Sequence, residues 1–563
     1  MTLYEETKCL IKKVTDDALN KAKSEGQIDF SQIPDYAIEE PREKEFGDFS
    51  VNAAMLMAKE ARRAPRDIAN IIVENMMTEG TYITEVSVAG AGFINFKLNP
   101  VYITKIIETV ESEGDRFGQS DFGGGKTVNV EYVSANPTGP MHMGNARGGA
   151  LGDCLANIMA LAGFDVTKEF YVNDAGNQIE KLAVSLLARY KQAILGENAV
   201  EFPEDGYHGD DVKEHAKNFA DKFGDSYINV PEEEAKEKLI AETLYKNIDG
   251  LKEGLSQYRI NYDVWFHESK LHESGEVAKT VEELTARGYT YEQDGAIWFK
   301  ATEFGLEKDD VLVRANGFYT YFAADIAYHK NKLVTRNFDT AIDIWGADHH
   351  GHVARLKAAM EALGVNPDRL EIILMQLVRL VRDGEAVRMS KRTGKAITLN
   401  DLLEETGVDA ARFYFNLRQA NSHFEFDLEL AVRQSSENPV FYVQYAHARI
   451  CGIINALKEQ GANVLSFKDI NPELLSDAKE IELMKMIAKF PEEIKAAAIM
   501  REPSRITKYS MDLAAAFHAF YGACKVACED ESLKNARLAL VSACRQTIKN
   551  SLSVLGIDAP EHM

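Results

Sequence analysis

Cysteine is scarce in this chain, with six residues in 563 and none in a C-x2-C pair. That excludes a disulfide framework or a zinc ribbon and fits a reducing compartment. No run of about 18 apolar residues occurs, so a membrane-spanning helix is not expected. The start, Met1-Thr-Leu-Tyr-Glu-Glu, lacks the basic-then-apolar order of a signal peptide, and the expectation is a cytoplasmic protein. There is also no repeat of fixed period and no low-complexity tract. Positive charge is in short supply, 64 Lys+Arg against 88 Asp+Glu for a net charge of −24. That sum speaks against a polyanion partner only if the charges are spread evenly, and they are not. Residues 201–250 hold 6 Lys against 14 acidic residues, whereas residues 441–563 hold 15 basic and 15 acidic residues and are neutral.

What is present is a globular composition, 45% hydrophobic and 27% charged. The length allows about three to five domains. Residues 52–74 form a helical pattern split by Pro65, and residues 86–97 read as paired strands around a glycine turn. From residue 127 to about 400, short apolar runs alternate with helix-length patterns, the arrangement a parallel α/β sheet requires. Thr127–Val133, Val166–Val172 and Thr340–Trp345 read as strands, and Glu371–Leu380 as one more. Helices are expected through Arg189 and from about His349 to Leu363. Acidic helical material at 195–275 interrupts the alternation. After about 400 the strands are expected to stop. Ile506, Tyr509, Leu513, Phe517, Phe520 and Cys524 recur at spacings of 3 and 4, and Leu540, Cys544, Ile548 and Leu552 at every fourth residue. These are core stripes of a helical bundle, so both cysteines read as packing residues.

Four segments carry candidate chemistry. Gly123-Gly-Gly-Lys-Thr127 fails the phosphate-loop pattern, because position 120 is Ser and the loop precedes a strand; it reads as a turn. Asp348-His-His-Gly-His352 offers metal-ligand chemistry, but adjacent histidines on one helical turn point apart; it reads equally as helix-start residues lining a cleft or as a surface turn. The third segment runs from the Thr127–Val133 strand through Ser134-Ala-Asn-Pro-Thr-Gly-Pro140 into Met141-His-Met-Gly-Asn-Ala-Arg-Gly-Gly-Ala150. A strand, a Gly/Pro loop and a glycine-rich helix start make an anion site, with Gly144 permitting close approach and His142 and Asn145 on one face. The fourth, Val387-Arg-Met-Ser-Lys-Arg-Thr-Gly-Lys395, gathers Arg388, Lys391, Arg392 and Lys395 beside Ser390 and Gly394. Alone it reads as a basic surface loop, although cations on a glycine-containing loop also suit a developing polyphosphate charge.

Together these residues resemble class I aminoacyl-tRNA synthetases. His142-Met-Gly-Asn145 is similar to the HIGH motif and Arg388-Met-Ser-Lys-Arg392 to the KMSKS motif, in the right order and with an insertion between. The flanks narrow the resemblance to arginyl-tRNA synthetases: residues 131–140, Tyr171-Val-Asn-Asp-Ala-Gly-Asn-Gln-Ile179, Tyr321-Phe-Ala-Ala-Asp325, Trp345-Gly-Ala-Asp-His-His-Gly-His352 and residues 438–449. Two positions depart from the motifs. Asn145 replaces the second histidine of HIGH and cannot be a cation, and Arg388 replaces the first lysine of KMSKS with a different donor geometry.

The resemblance implies an α/β protein with a Rossmann-like parallel-sheet catalytic domain at 116–400, a small α+β N-terminal domain at 1–115, a connecting helical segment at 401–440 and an all-α anticodon-binding bundle at 441–563. It implies catalytic roles for His142, Asn145 and Lys391, ATP contacts from Pro140, His142, Gly144, Asn145, Met389, Ser390 and Lys391, and arginine contacts from Glu131, Asn136, Tyr321, Asp325 and His349. The implied substrates are ATP with Mg2+, L-arginine and tRNA(Arg), the expected state is a monomer, and no resident protein metal is expected. Tyr442 and Tyr445 are candidates for stacking on anticodon bases and equally candidates for the bundle core. Two other readings remain: a synthetase-like protein that holds tRNA without charging it, resting on Asn145 and Arg388, and a metal-dependent hydrolase resting on residues 348–352.

Overall fold

The computed structural model describes residues 2–41, 43–139, 141–387 and 397–563. The N-terminal part has a long first helix, Leu3–Ser24, closed by a capping box between Thr2 and Glu5. A four-stranded antiparallel sheet follows. The helical stretch after Asn52 divides as expected into Ala53–Ala61 and Pro65–Asn75, with Pro65 in the first helical turn, where its missing N–H costs nothing. Ile83–Ala89 and Phe93–Leu98 pair antiparallel across Gly90 and Gly92, also as expected.

The centre is a parallel sheet of five strands, here numbered in chain order: β1 Thr127–Glu131, β2 Asp165–Val172, β3 Val264–His267, β4 Thr340–Gly346 and β5 Leu370–Met375. Their order across the sheet is β5-β4-β1-β2-β3, every pairing parallel. The chain begins in the middle, winds to one edge, then crosses to the other, so the reversal falls between β1 and β4. Ligands of such sheets bind at that point, outside the carboxyl ends of the strands. Val128, Val130, Ala341, Ile342 and Phe170 are buried, as the interior of a sheet covered on both faces requires. After β1 comes the helix α1, Ala146–Leu161, nearly all of it buried. Gly152 lets it lie against the sheet side, since a Cβ there would overlap the ring of Tyr132.

Three strand readings need correction. Glu371–Leu380 is not one strand: it breaks at Gln376–Leu377, and Val378–Arg382 joins another sheet with Glu385–Ala386 and Phe424–Asp427. Strands therefore do not stop at 400, because Phe424–Asp427 is one. And the 195–275 stretch is not wholly helical. Its helices Asp210–Phe223 and Glu232–Gln257 build their own small core with the helix Asn177–Leu195, but β3 lies within it and is the edge strand of the main sheet.

The C-terminal bundle has Pro439–Glu459, Ala478–Ala488, Phe490–Met500, Ser504–Ala523 and Glu531–Val554. The two predicted stripes are its core, including buried Cys524 and Cys544. Arg412, fully buried, bolts the bundle to the sheet. Its Nε donates to the Leu555 carbonyl at 2.7 Å, one terminal nitrogen donates to the Tyr258 carbonyl at 2.9 Å, and the other pairs with Asp153 of α1.

Candidate active site

The carboxyl end of β1 is shaped by its own backbone. Val133 and Ser134 follow the strand at φ of 71° and 42°. A β-branched residue at positive φ is strained, and such strain gathers at functional sites. The bend turns Ser134 back, so that its Oγ donates to Glu131 Oε1 at 2.8 Å and accepts from the Tyr171 N–H at 3.1 Å.

Glu131 stands beside Asp343, its register partner on β4. Between the two carboxylates lies Lys332, fully buried, with Nζ 2.5 Å from Glu131 Oε2 and 2.8 Å from Asp343 Oδ1. His329 Nε2 is 2.6 Å from Asp343 Oδ2. Lys332 arrives there through local backbone geometry. The helix α2, Tyr321–Lys330, passes into a π-helical turn, Asn331–Thr335, with the Arg336 N–H donating to the Asn331 carbonyl. Such turns shift side-chain direction by a fraction of a turn and concentrate at functional sites. Below this cluster Glu169 of β2 accepts from Tyr328, Asn129 and both terminal nitrogens of Arg336. Burial opposes every one of these charges, and the partners outweigh it in most. The Lys332 pKa is held above its ordinary value by Asp343, Glu131 and Glu169, and Asp343 is held down at about 2 by Lys332 and His329. His329 is raised by Asp343 against its own desolvation. At Glu131 burial wins, pushing its carboxyl up against the pull of Lys332.

Beyond the carboxyl end of β1 the chain makes a turn before α1. Met143–Asn145 is a 3-10 turn capped by His142, whose Nδ1 accepts the Gly144 N–H at 3.1 Å. A backbone N–H can only donate, so the ring proton is on Nε2, and the exposed His142 side chain presents a donor. Gly144 and Asn145 are half-buried in the same turn, which leads into the N-terminus of α1. The chain after the second basic segment returns to this turn: the Met143 N–H donates to the Ile397 carbonyl at 3.1 Å and the Leu399 N–H to the Met141 carbonyl at 2.9 Å, with His142 and Thr398 as an antiparallel bridge. Thr398 then opens the helix Leu399–Thr406 with a capping box to Asp401. Pro140, Arg388, Met389, Ser390 and Lys391 lie outside the described residues.

The remaining candidates lie after β1 (Asn136), on α2 (Tyr321 and Asp325) and after β4 (His349). Asn136 donates to Gln178 Oε1 at 2.5 Å. Tyr321, half-exposed, packs against Gly176 of the loop after β2, and with Asn177, Gln178, Lys181 and Asp205 it lines a cavity of about 380 Å³. Asp325, one turn further along α2, accepts from His352 Nε2 at 2.8 Å. His349 is exposed at the start of the helix α3, His350–Ala362, with its ring 6.2 Å from that of Trp345. Among the described residues no group of three or more His, Cys, Asp or Glu side chains is arranged to hold a metal, and His352 of the 348–352 cluster is engaged by Asp325. Sequence reading missed Lys332, His329, Asp343, Glu169, Arg355 and the role of His352. One signal was available: an acid flanked by Ile342 and Ile344 in an apolar strand needs a buried partner.

A parallel sheet of this order, reversing between β1 and β4 beside a capped turn, is a Rossmann-like nucleotide-binding architecture. Residues 107–434 match the family profile of the class I (R) tRNA synthetase catalytic domain, residues 10–98 the arginyl tRNA synthetase N-terminal domain and residues 443–563 the DALR anticodon-binding domain. The arginine–tRNA ligase of Caldanaerobacter subterraneus subsp. tengcongensis is 56% identical over 561 residues, covering 100% of both chains. That of Ruminiclostridium cellulolyticum is 54% identical over 553 residues, covering 98% of each. The fold is that of the Thermus thermophilus arginyl-tRNA synthetase structure, with a TM-score of 0.73 at 22% identity over 98% of this chain and 100% of that one. The chain belongs to the arginyl-tRNA synthetase family.

Proposed function

We infer that the chain is an ATP-dependent ligase that activates L-arginine and joins it to tRNA(Arg). The observation that carries this reading is the backbone pairing of residues 141–143 with 397–399, which holds the chain just after the second signature segment against the first at the switch point. ATP enters as its magnesium complex. The arginine carboxylate attacks the α-phosphorus, the bond to the β-phosphate oxygen breaks, and pyrophosphate leaves. The 3′-terminal ribose hydroxyl of the tRNA then attacks the carbonyl of the adenylate and releases AMP. Little covalent work falls to side chains; the protein positions groups and meets developing charge.

His142, through Nε2–H, and the turn at Gly144 and Asn145 face the phosphates, with Pro140, Met389 and Ser390 completing the ATP contacts and Lys391 meeting the departing pyrophosphate. Glu131 shares in holding the part of arginine beyond the guanidinium; its carboxylate is already aimed by Ser134 and Lys332. Asn136 and His349 hold the rest of the amino acid, and Tyr321 and Asp325 take the guanidinium, a planar fork suited to a carboxylate. On the bundle, Tyr445 is exposed, and the Arg449 guanidinium lies 4.3 Å over the Tyr521 ring, a surface on which anticodon bases can stack. Tyr442 is more covered and packs on His518. By its resemblance to the family's N-terminal domain, the N-terminal part is the one that contacts the tRNA elbow. Localisation in the cytoplasm and a monomeric state belong to the same reading; no helix among the described residues is long and apolar enough to cross a membrane. Lys391→Ala tests the assignment: single-turnover adenylate formation is expected to fall by about two orders of magnitude with arginine binding little changed. An unaltered rate would remove Lys391 from the mechanism.

A further inference from the structure

We propose that Arg355 is a positioning residue for the arginine substrate, acting through His352 to fix the carboxylate of Asp325. The inference rests on the reading that Asp325 takes the guanidinium.

The observation is a chain of hydrogen bonds with only one possible direction. Arg355 Nε lies 2.6 Å from His352 Nδ1, and a guanidinium N–H can only donate. Nδ1 must therefore carry a lone pair, and the neutral imidazole keeps its single proton on Nε2, which lies 2.8 Å from Asp325 Oδ2. At its other end Arg355 donates to Asp310 Oδ1 at 2.9 Å. Asp310 opens the strand Asp310–Val313 of a separate three-stranded sheet, so the relay runs from that sheet through α3 to α2. Aromatic rings hold it in place. His352 lies against Trp345, 5.5 Å between centroids, and meets Phe322 edge-on at 5.6 Å, while the Arg355 guanidinium stands 5.2 Å from the Phe322 ring.

Residues so confined do a specific thing to Asp325. A neutral donor occupies Oδ2 and sets the plane of the carboxylate without cancelling its charge. With the proton on Nδ1 instead, the Nε2 lone pair would face the carboxylate and turn it away. A guanidinium is bound through two parallel N–H groups and needs that plane fixed; a lysine ammonium, a point charge, does not. The His352–Arg355 pair thus favours arginine over a simple cation of equal charge.

The test is the arginine KM in tRNA-supported ATP–pyrophosphate exchange by the full-length chain, for R355M, H352F, the double variant and D325N. R355M and H352F are each expected to raise the arginine KM by about tenfold, with kcat and the ATP KM within about twofold of wild type. The double variant is expected to match H352F alone, because Arg355 acts through the ring that H352F has removed. R355K, which keeps the cation but places its donors on a single nitrogen instead of the separate nitrogens that serve His352 and Asp310, is expected to fall between wild type and R355M. D325N separates the two layers of the argument. An unchanged arginine KM in D325N overturns the guanidinium assignment itself. A raised KM in D325N with a wild-type KM in R355M, or additive effects in the double variant, overturns the role of Arg355 alone. If R355M does not fold, the same cycle is run with R355K, and a wild-type KM there overturns the proposal.

Discussion

Lys332 has no exposed surface, yet it stays charged because Glu131, Asp343 and Glu169 surround it. The same cluster makes stability depend on pH in both directions. Asp343, held at about 2, contributes stability above the ordinary carboxylate range, and that contribution is lost as pH falls through the folded value. His329 is held above the ordinary imidazole range, so its contribution is complete below about 6.5 and is lost as pH rises through its folded value. Thermal melts between pH 6 and 9 are therefore expected to show a falling Tm in the wild type and a flatter profile in His329→Asn, which cannot titrate. Parallel profiles would contradict the pairing. At this scale the sequence was partly legible. The resemblance names Glu131, Tyr321 and Asp325, whereas Asp343 went unnamed although its apolar neighbours Ile342 and Ile344 signal a buried acid in need of a partner. Lys332 was not legible, because its direction depends on a π-helical turn, and a single i→i+5 rearrangement leaves no periodic trace.

Among the elements, the pairing of residues 141–143 with 397–399 does most to define the site. Thr398 sits at its hinge, bridging to His142 while its hydroxyl accepts the Asp401 N–H at 3.1 Å. Thr398→Ala removes that cap. A loss of about 1 kcal/mol in urea unfolding is expected, together with a raised ATP KM if the turn at His142–Asn145, whose base it loosens, takes the phosphates as proposed. An ATP KM equal to wild type would show that the cap serves only the helix. The elements themselves were readable where their period was local: the bundle stripes, the split at Pro65, and β1, β2 and β4. Those misread depend on distant partners. Nothing within 371–380 signals that its second half leaves the main sheet to pair with Phe424–Asp427, and β3 is a short edge strand of four half-buried residues inside acidic helical surroundings. Register between segments far apart in the chain is set by packing, which a single sequence does not display.

For the whole molecule, a charge of −24 and a polyanionic partner are compatible because the charge is unevenly placed. The acidic helices of residues 201–250 form their own small core beside the catalytic sheet, while the bundle is neutral and carries exposed Tyr445 near Arg449. Local cations can then meet the tRNA phosphates while the acidic remainder repels unrelated nucleic acid. Filter binding is expected to show tRNA(Arg) affinity that falls steeply between about 50 and 200 mM salt and little retention of random DNA at physiological salt. Tight binding of unrelated DNA would contradict the charge argument. Arginine-dependent ATP–pyrophosphate exchange with and without tRNA(Arg) reports directly on whether this sheet and the turn at its switch point activate arginine for transfer to tRNA. Exchange that requires arginine, is not supported by lysine, and is present at least when tRNA is added is the expected result. No exchange in either condition would contradict the account and leave a protein that binds tRNA without charging it.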